Sequence, residues 1–317
     1  MRASLGSVTR RAYLLGVVVL VVAAVAVLAV ACGTSGEVGD GGTVSTTQPS
    51  ETTTPTEPSD TTSTTTAPSD TTTTSTTAVE DTMTVKVYFA RGEKIAAASR
   101  VIPKTQQVGA AAMKALLEGP TAAEKEGGMT TSIPEGTTFL DLEVQNGIAT
   151  INLSKEYSSG GGTLSMMMRL AQVVFTLTQF PTVEGVSFAL DGVPIDVLGG
   201  EGIIIDHPMT RADYEDLSPA ILVESPTLGN TVSSPVRITG TANVFEAVFS
   251  VNIVDGDGLI IADEVVTATS GTGTRGTFDV TIPFELTAAG PGGIIVFAES
   301  PQDGSQIDVI EIPVELE

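Results

Sequence analysis

Residues 131–154 read TSIPEGTTFLDLEVQNGIATINLS, and this stretch decides the fold of the segment around it. Pro134-Glu135-Gly136 marks a turn, because glycine takes a positive φ without steric cost. Phe139, Leu140, Leu142 and Val144 then form an apolar run, Asn146-Gly147 reverses the chain, and Ile148, Thr150 and Ile151 return. Asn-Gly between two such runs is the strongest short-range signal for a β-hairpin, since a type I′ turn needs positive φ at both central residues. No pattern for catalysis lies in the stretch.

Working outward, Val85, Val87 and Phe89 alternate with Lys86 and Tyr88 as a half-buried strand. Residues 95–102 are a poorer strand candidate, rich in Ala and ended by Pro103. Thr105 is placed to cap a helix over 107–117, with Val108, Ala111, Ala112, Ala115 and Leu116 on one stripe and Gly119-Pro120 as its stop. Beyond the hairpin, Gly160-Gly161-Gly162 loosens the chain before a second helix over 164–178, closed by Pro181. Residues 186–190 read as a strand and Asp191-Gly192 as a tight turn. This order predicts an α+β domain over 81–206, a small mixed sheet with two helices on one face.

Several blocks here resemble, in order, the GerMN domain of sporulation and spore germination proteins. They are Val85-Lys86-Val87-Tyr88-Phe89, Leu116-Leu117-Glu118-Gly119-Pro120, Ser132-Ile133-Pro134-Glu135-Gly136-Thr137, Ile151-Asn152-Leu153-Ser154 and Thr176-Leu177-Thr178-Gln179-Phe180-Pro181. The resemblance covers about 84–200; residues 95–100 depart from it, being less apolar than the family's second strand. It implies a fold like that of ring-building modules in secretion-type complexes, and so protein–protein contact.

Residues 207–219, with Pro208 and Pro219, read as a bridge to a second domain over 220–317. The change in charge density across it predicts that the two domains fold separately. Seven alternating strands, over 221–224, 236–242, 245–254, 259–268, 276–283, 294–300 and 307–314, argue for an all-β immunoglobulin-like sandwich. Ser225-Pro226, Gly240-Thr241-Ala242, Phe245-Glu246, Phe297-Ala298-Glu299-Ser300-Pro301, Asp303-Gly304 and Ile312-Pro313-Val314 resemble the immunoglobulin-like domain of bacterial spore germination. That domain commonly accompanies GerMN.

At the other end, Arg2, Arg10 and Arg11 precede residues 13–31, an uncharged apolar run ending in small residues before Cys32. This describes an export signal over 1–32. Its end resembles a lipobox, in which diacylglycerol is attached to Cys32 and cleavage makes that residue the new N-terminus. The usual Leu three residues before the cysteine is Ala29 here. An uncleaved transmembrane anchor is the alternative, since the run is just long enough to span a bilayer. Both readings hold the arginines in the cytoplasm and the rest of the chain outside, lipid-anchored at the cell membrane in the first case. Thr9-Arg10-Arg11-Ala12-Tyr13-Leu14-Leu15 leaves twin-arginine export open beside the general route. Residues 33–80 are Thr, Ser, Pro, Gly and acid, with Pro58-Ser59-Asp60-Thr61-Thr62 repeated at Pro68-Ser69-Asp70-Thr71-Thr72. Such a linker has too little apolar surface to offset its ordering entropy and should stay disordered, a plain or O-glycosylated tether.

Charge narrows the partners. Residues 81–206 carry 9 basic and 14 acidic side chains, and residues 207–317 carry 3 and 17. A field of that sign repels phosphate backbones, so no nucleic acid partner is expected. The single cysteine excludes an intramolecular disulfide. His207, the only histidine, leaves no two-histidine metal site and reads as a solvated bridge residue. Asp255-Gly256-Asp257-Gly258 lacks the further acidic ligands of an EF-hand loop and reads as a hairpin turn. Gly160-Gly161-Gly162 before a helix lacks the Lys of a phosphate loop. Met166, Met167 and Met168 are consecutive, so part of the run points to the core, the default for such residues, and part to a rim or an exposed contact surface.

The sequence thus predicts no catalytic residue, no cofactor and no metal, with Cys32 as the lipidation site. The expected role is a non-catalytic envelope lipoprotein that binds or assembles envelope proteins or cell-wall components. A solute- or glycan-binding lipoprotein and a cell-wall hydrolase are the alternatives from other classes.

Overall fold

A computed structural model describes residues 81–200 and 202–317. The expected export signal, Cys32 and the expected Thr-rich linker lie outside the described residues.

β1 (Thr82–Arg91) and β2 (Lys94–Pro103) pair antiparallel along their full length, and β3 (Met129–Thr130) joins the far end of β1. The Ala-rich stretch is therefore a complete strand. Helix α1 (Val108–Leu117) follows, with Gln107 as N-cap and no side-chain cap. Thr105 does not cap it: its hydroxyl accepts the Gln107 N–H at 3.1 Å, a local turn in place of a cap. Helix α2 (Ala122–Glu126) is a single turn fixed by a Thr121–Glu124 capping box. The hairpin forms as the sequence indicates, β4 (Phe139–Gln145) to β5 (Ile148–Leu153), with Asn146 at φ 53° and Gly147 at φ 83°. Helix α3 (Thr163–Leu177) crosses over to β6 (Gly185–Leu190), which pairs parallel with β5. β7 (Val193–Ile195) closes this mixed sheet, and β8 (Val197–Leu198) with β9 (Ile203–Ile204) forms a small ribbon.

The first domain is α+β, but its strands divide between two sheets, β2-β1-β3 and β4-β5-β6-β7. The cause is α3, buried almost all round, with Leu170, Ala171, Val173, Val174 and Leu177 wholly inaccessible. Three polar residues on it and just past its end face the open edge of β1. Gln179 accepts the Lys86 N–H at 2.8 Å and donates to the Lys86 carbonyl at 2.6 Å. Thr176 accepts the Tyr88 N–H at 3.2 Å, and Gln172 donates to the Tyr88 carbonyl at 3.1 Å. Buried backbone groups need partners. Here side chains supply what a neighbouring strand would otherwise give, so β1 takes no second strand along Lys86–Tyr88 and pairs with β3 only at Ala90 and Arg91.

The second domain is a sandwich of β10 (Ile221–Ser225), β11 (Thr231–Val232), β12 (Val236–Ala242), β13 (Val248–Asp255), β14 (Ile260–Thr267), β15 (Gly276–Ile282), β16 (Gly290–Glu299) and β17 (Gln306–Leu316). One sheet runs β10-β12-β15 and the other β11-β17-β16-β13-β14. Alternation fills the space between them with Ile238, Phe249, Val251, Ile253, Ile294 and Val296. Phe245 does not begin a strand as its sequence suggests. It opens a short 3-10 turn, Phe245–Ala247, ahead of β13.

The domains share apolar packing. Leu222 of β10 belongs to the core of the first domain, and Leu228 packs against it. A Cβ on Gly127 would lie 2.2 Å from Leu228 Cδ1, so a side chain there would push Leu228 aside. Ala96 and Ala97 of β2 line a narrow crevice together with Leu222 of β10.

Candidate functional site at the domain junction

The bridge is a structured joint. Thr210 and Asp213 form a capping box that opens a 3-10 segment, Arg211–Leu217, whose Tyr214 and Leu217 are buried. This turn drives Arg211 into the first domain. Its guanidinium carbon lies 4.7 Å from the ring centre of Phe175 and 5.2 Å from that of Tyr88. Nε donates to Thr178 Oγ1 at 2.9 Å, Nη2 to Tyr88 Oη at 3.1 Å and to the Phe175 carbonyl at 3.2 Å, and Nη1 to Glu224 at 2.7 Å. Tyr88 also donates its hydroxyl to Glu224, and Lys86 Nζ stands 3.6 Å from the same carboxylate. One arginine from the bridge thus joins β1, α3 and β10.

Burial raises the Tyr88 phenol far above its ordinary range, and Glu224 beside it adds to the rise against the pull of Arg211. Burial alone would raise Glu224, but Arg211, Lys86 and the Tyr88 hydrogen bond together hold it below the usual carboxylate range. Burial opposes the charge on Arg211, yet Tyr88 and Glu224 raise its pKa above the ordinary value. Tyr88 is kept protonated and the ion pair charged, which makes this group a fastening.

A second fastening lies alongside. Arg275 of the sandwich bonds Glu215 of the 3-10 segment at 2.9 and 3.0 Å, and Asn243 donates to the same carboxylate at 2.8 Å. Arg91 Nη1 reaches the Glu311 carbonyl at 2.7 Å, and Thr227 Oγ1 donates to Ser99 Oγ at 2.8 Å. All three arginines of residues 207–317 meet an acid, Arg237 pairing with Asp279 at 2.5 Å.

The residues singled out in the sequence do not converge on this joint. His207 is exposed, with its ring nitrogens 3.2 Å from Asp206 and 3.3 Å from Asp213; hydrogen bonds to both raise its pKa. Asp255 accepts the N–H groups of Asp257 and Leu259, so it is occupied by the β13–β14 turn. The carbonyls of Tyr157, Ser159 and Gly160 accept from the buried Arg169 guanidinium, which fixes the glycine loop before α3. Met166 and Met168 correct an expectation. Both are 3% exposed and part of the core, because α3 is buried on nearly every side, and Met167 also packs against that core. They offer no contact surface. Cys32 lies outside the described residues. Among the described residues no group of three or more His, Cys, Asp and Glu could hold a metal ion, and no helix is long and apolar enough to cross a membrane.

Sequence reasoning missed Arg211, Tyr88 and Glu224. A lone arginine within a strongly acidic stretch was the available signal.

Comparison with known proteins matches two separate stretches of the chain. Residues 86–196 match the family model Germane, sporulation and spore germination, and residues 220–305 match Gmad2, the immunoglobulin-like domain of bacterial spore germination. No curated protein matches the chain. Among solved structures, a candidate lipoprotein from Clostridium perfringens is 25% identical over 43% of this chain and 93% of its own, with TM-score 0.32. The tandem GerMN domains of the sporulation protein GerM from Bacillus subtilis are 16% identical over 74% of this chain and 61% of theirs, with TM-score 0.38. The first GerMN domain of that protein is 20% identical over 41% and 99%, with TM-score 0.35. The chain therefore carries a sporulation and spore germination domain of the GerMN kind, followed by an immunoglobulin-like domain of bacterial spore germination.

Proposed function

We propose that this chain is a lipid-anchored protein of the cell envelope that works in sporulation or germination by binding other envelope proteins, without catalysis. The observation that carries the reading is the joint around Arg211. Its charged and aromatic groups are spent on one another, which makes the two domains a single stiff unit able to hold two surfaces at a fixed spacing. The export segment and Cys32 support attachment to the outer face of the membrane, with residues 33–80 as the reach between membrane and domains.

The test uses the full chain in its own envelope. Photo-crosslinkers on exposed positions of both domains should trap defined envelope proteins, and Cys32→Ser should accumulate a precursor that takes up no labelled fatty acid. Turnover of peptidoglycan fragments by the purified chain, abolished by changing one carboxylate, would overturn the non-catalytic reading. A wild-type chain that keeps residues 1–31 at steady state would replace the lipid anchor with a transmembrane one.

A further inference from the structure

The five-stranded sheet of the sandwich ends at β14, whose outer edge pairs with no other strand among the described residues. Edge strands of this kind template the pairing of another chain. The chemistry around this edge is one-sided. β14 carries Asp263 and Glu264 and no basic residue, β13 beside it ends at Asp255, and Glu246 and Glu299 line a hollow next to Val265.

That hollow, of about 200 Å³, lies over β13, between Val265 of β14 and Glu299 of β16, and is lined also by Phe245, Glu246 and Val248. Val265 is 65% exposed and Phe245 54%, although both are large and apolar. Phe245 is held there by a costly backbone. Glu246 and Ala247, both non-glycine, have φ of 54° and 61°, the left-handed region that side chains disfavour. The neighbouring loop locks that turn. Thr272 Oγ1 accepts the Glu246 N–H at 2.9 Å, the Thr272 N–H donates to the Val244 carbonyl at 2.9 Å, and the Ala247 N–H donates to that carbonyl at 3.1 Å. A strained turn that keeps an aromatic ring in water, next to a free strand edge, is a feature of a surface awaiting a partner.

We propose that β14 and this hollow dock an extended basic segment of a partner protein, which adds to the sheet as a sixth strand. The proposal rests on the envelope-binding reading above and names the class of partner. The register defines what the added strand carries. Val265 lies opposite Ser250 and Asp263 opposite Asn252 on the outer face, while Glu264 shares the side of Val251. An apolar residue fits beside Val265, which walls the Phe245 hollow, and lysine or arginine fits beside Glu264 and Asp263. A second copy of this chain is disfavoured, since pairing β14 with itself sets these carboxylates against their own kind.

The experiment measures binding to the full chain in detergent micelles by fluorescence anisotropy. The probe is a synthetic peptide as long as β14 with one valine for every two lysines. It should bind, and alternate N-methylation of its backbone should weaken binding by about tenfold or more, because strand addition needs those N–H groups. Asp263→Lys/Glu264→Lys should lose the basic probe and accept its glutamate counterpart, and Phe245→Ser should weaken the basic probe. These positions are exposed, and near-UV circular dichroism checks that each variant is folded. Equal binding of the N-methylated probe, unchanged binding to the charge-reversed chain, or no binding at all would overturn the proposal. So would a dimer in ultracentrifugation that Asp263→Lys/Glu264→Lys dissolves, since β14 would then serve a second copy. Envelope crosslinks that persist in the charge-reversed chain would reject this edge and leave the envelope-binding reading standing. Their absence in the wild type would reject that reading itself.

Discussion

Arg211 Nη1 stands 2.7 Å from Glu224 Oε1, with the Tyr88 hydroxyl bonded to both, so a bridge residue and a sandwich residue meet on the first strand of the other domain. The two side chains are 25% and 14% exposed, which limits solvent screening. Such a pair adds little over a well-packed apolar pair, but losing one member leaves a buried charge alone.

Arg211→Met should therefore destabilise the chain by about 3 kcal/mol. Adding Glu224→Leu should recover most of that loss. Urea unfolding of the single and double variants reads the coupling, and simple additivity would show that the pair does not act as a unit.

The same group sets a pH dependence. Glu224 has a folded pKa below its unfolded value, as do Glu215, through Arg275, and Glu124, where burial is outweighed by Arg100 and Thr121 together. Their stabilisation is complete above the unfolded carboxylate range and is lost as pH falls through the folded values. Burial shifts Tyr88, Tyr157 and Tyr214 the other way, so their contribution is full below pH 10.0 and fades as pH rises beyond it. Unfolding free energy should form a plateau between these limbs. Glu224→Gln should flatten the acid limb and Tyr88→Phe the alkaline one.

Thr176→Val keeps the shape of its site but leaves the Tyr88 N–H without its acceptor. Gln172→Leu likewise orphans the Tyr88 carbonyl and the Ser132 N–H. Each should cost about 1–3 kcal/mol. Hydrogen exchange should quicken at Tyr88 in the first variant and at Ser132 in the second. Protection unchanged at both sites would mean that α3 does not cap the strand edge.

Met166→Glu and Met168→Glu should unfold the first domain, because each would bury an unpaired carboxylate in the core. Circular dichroism of the purified variants checks this. Native-like folding of either would restore the methionine run as a surface.

Calorimetry of the full chain should give one transition for both domains. Leu222 and Leu228 sit against the first core, so neither domain keeps its packing when the other opens. Leu222→Ala should cost about 2–5 kcal/mol and lower that single transition. Two separated transitions would show that the domains fold independently, as their compositions suggest.

The hairpin was legible because Asn146-Gly147 and the apolar runs beside it constrain only near neighbours. The same holds for α3 and for most sandwich strands, where periodicity reports which face is covered. Phe245 was misread because an apolar residue before a strand looks like its first residue, and only the loop at Thr272 holds it out of register. Core packing of the methionine run was legible, but its expected exposed part was not: period 3.6 marks one buried face, whereas α3 is enclosed on several sides by elements distant in sequence.

By itself the sequence determined most of the strand and helix order, a property of local composition and spacing, and its motif blocks pointed to the two domain kinds by resemblance. Tertiary structure alone decided that the first domain has two sheets, that the bridge is a joint, and that Arg211, Tyr88 and Glu224 belong together. Tyr88 and Glu224 are 136 residues apart along the chain, and no pattern along the chain records which distant charges folding will bring out of water together.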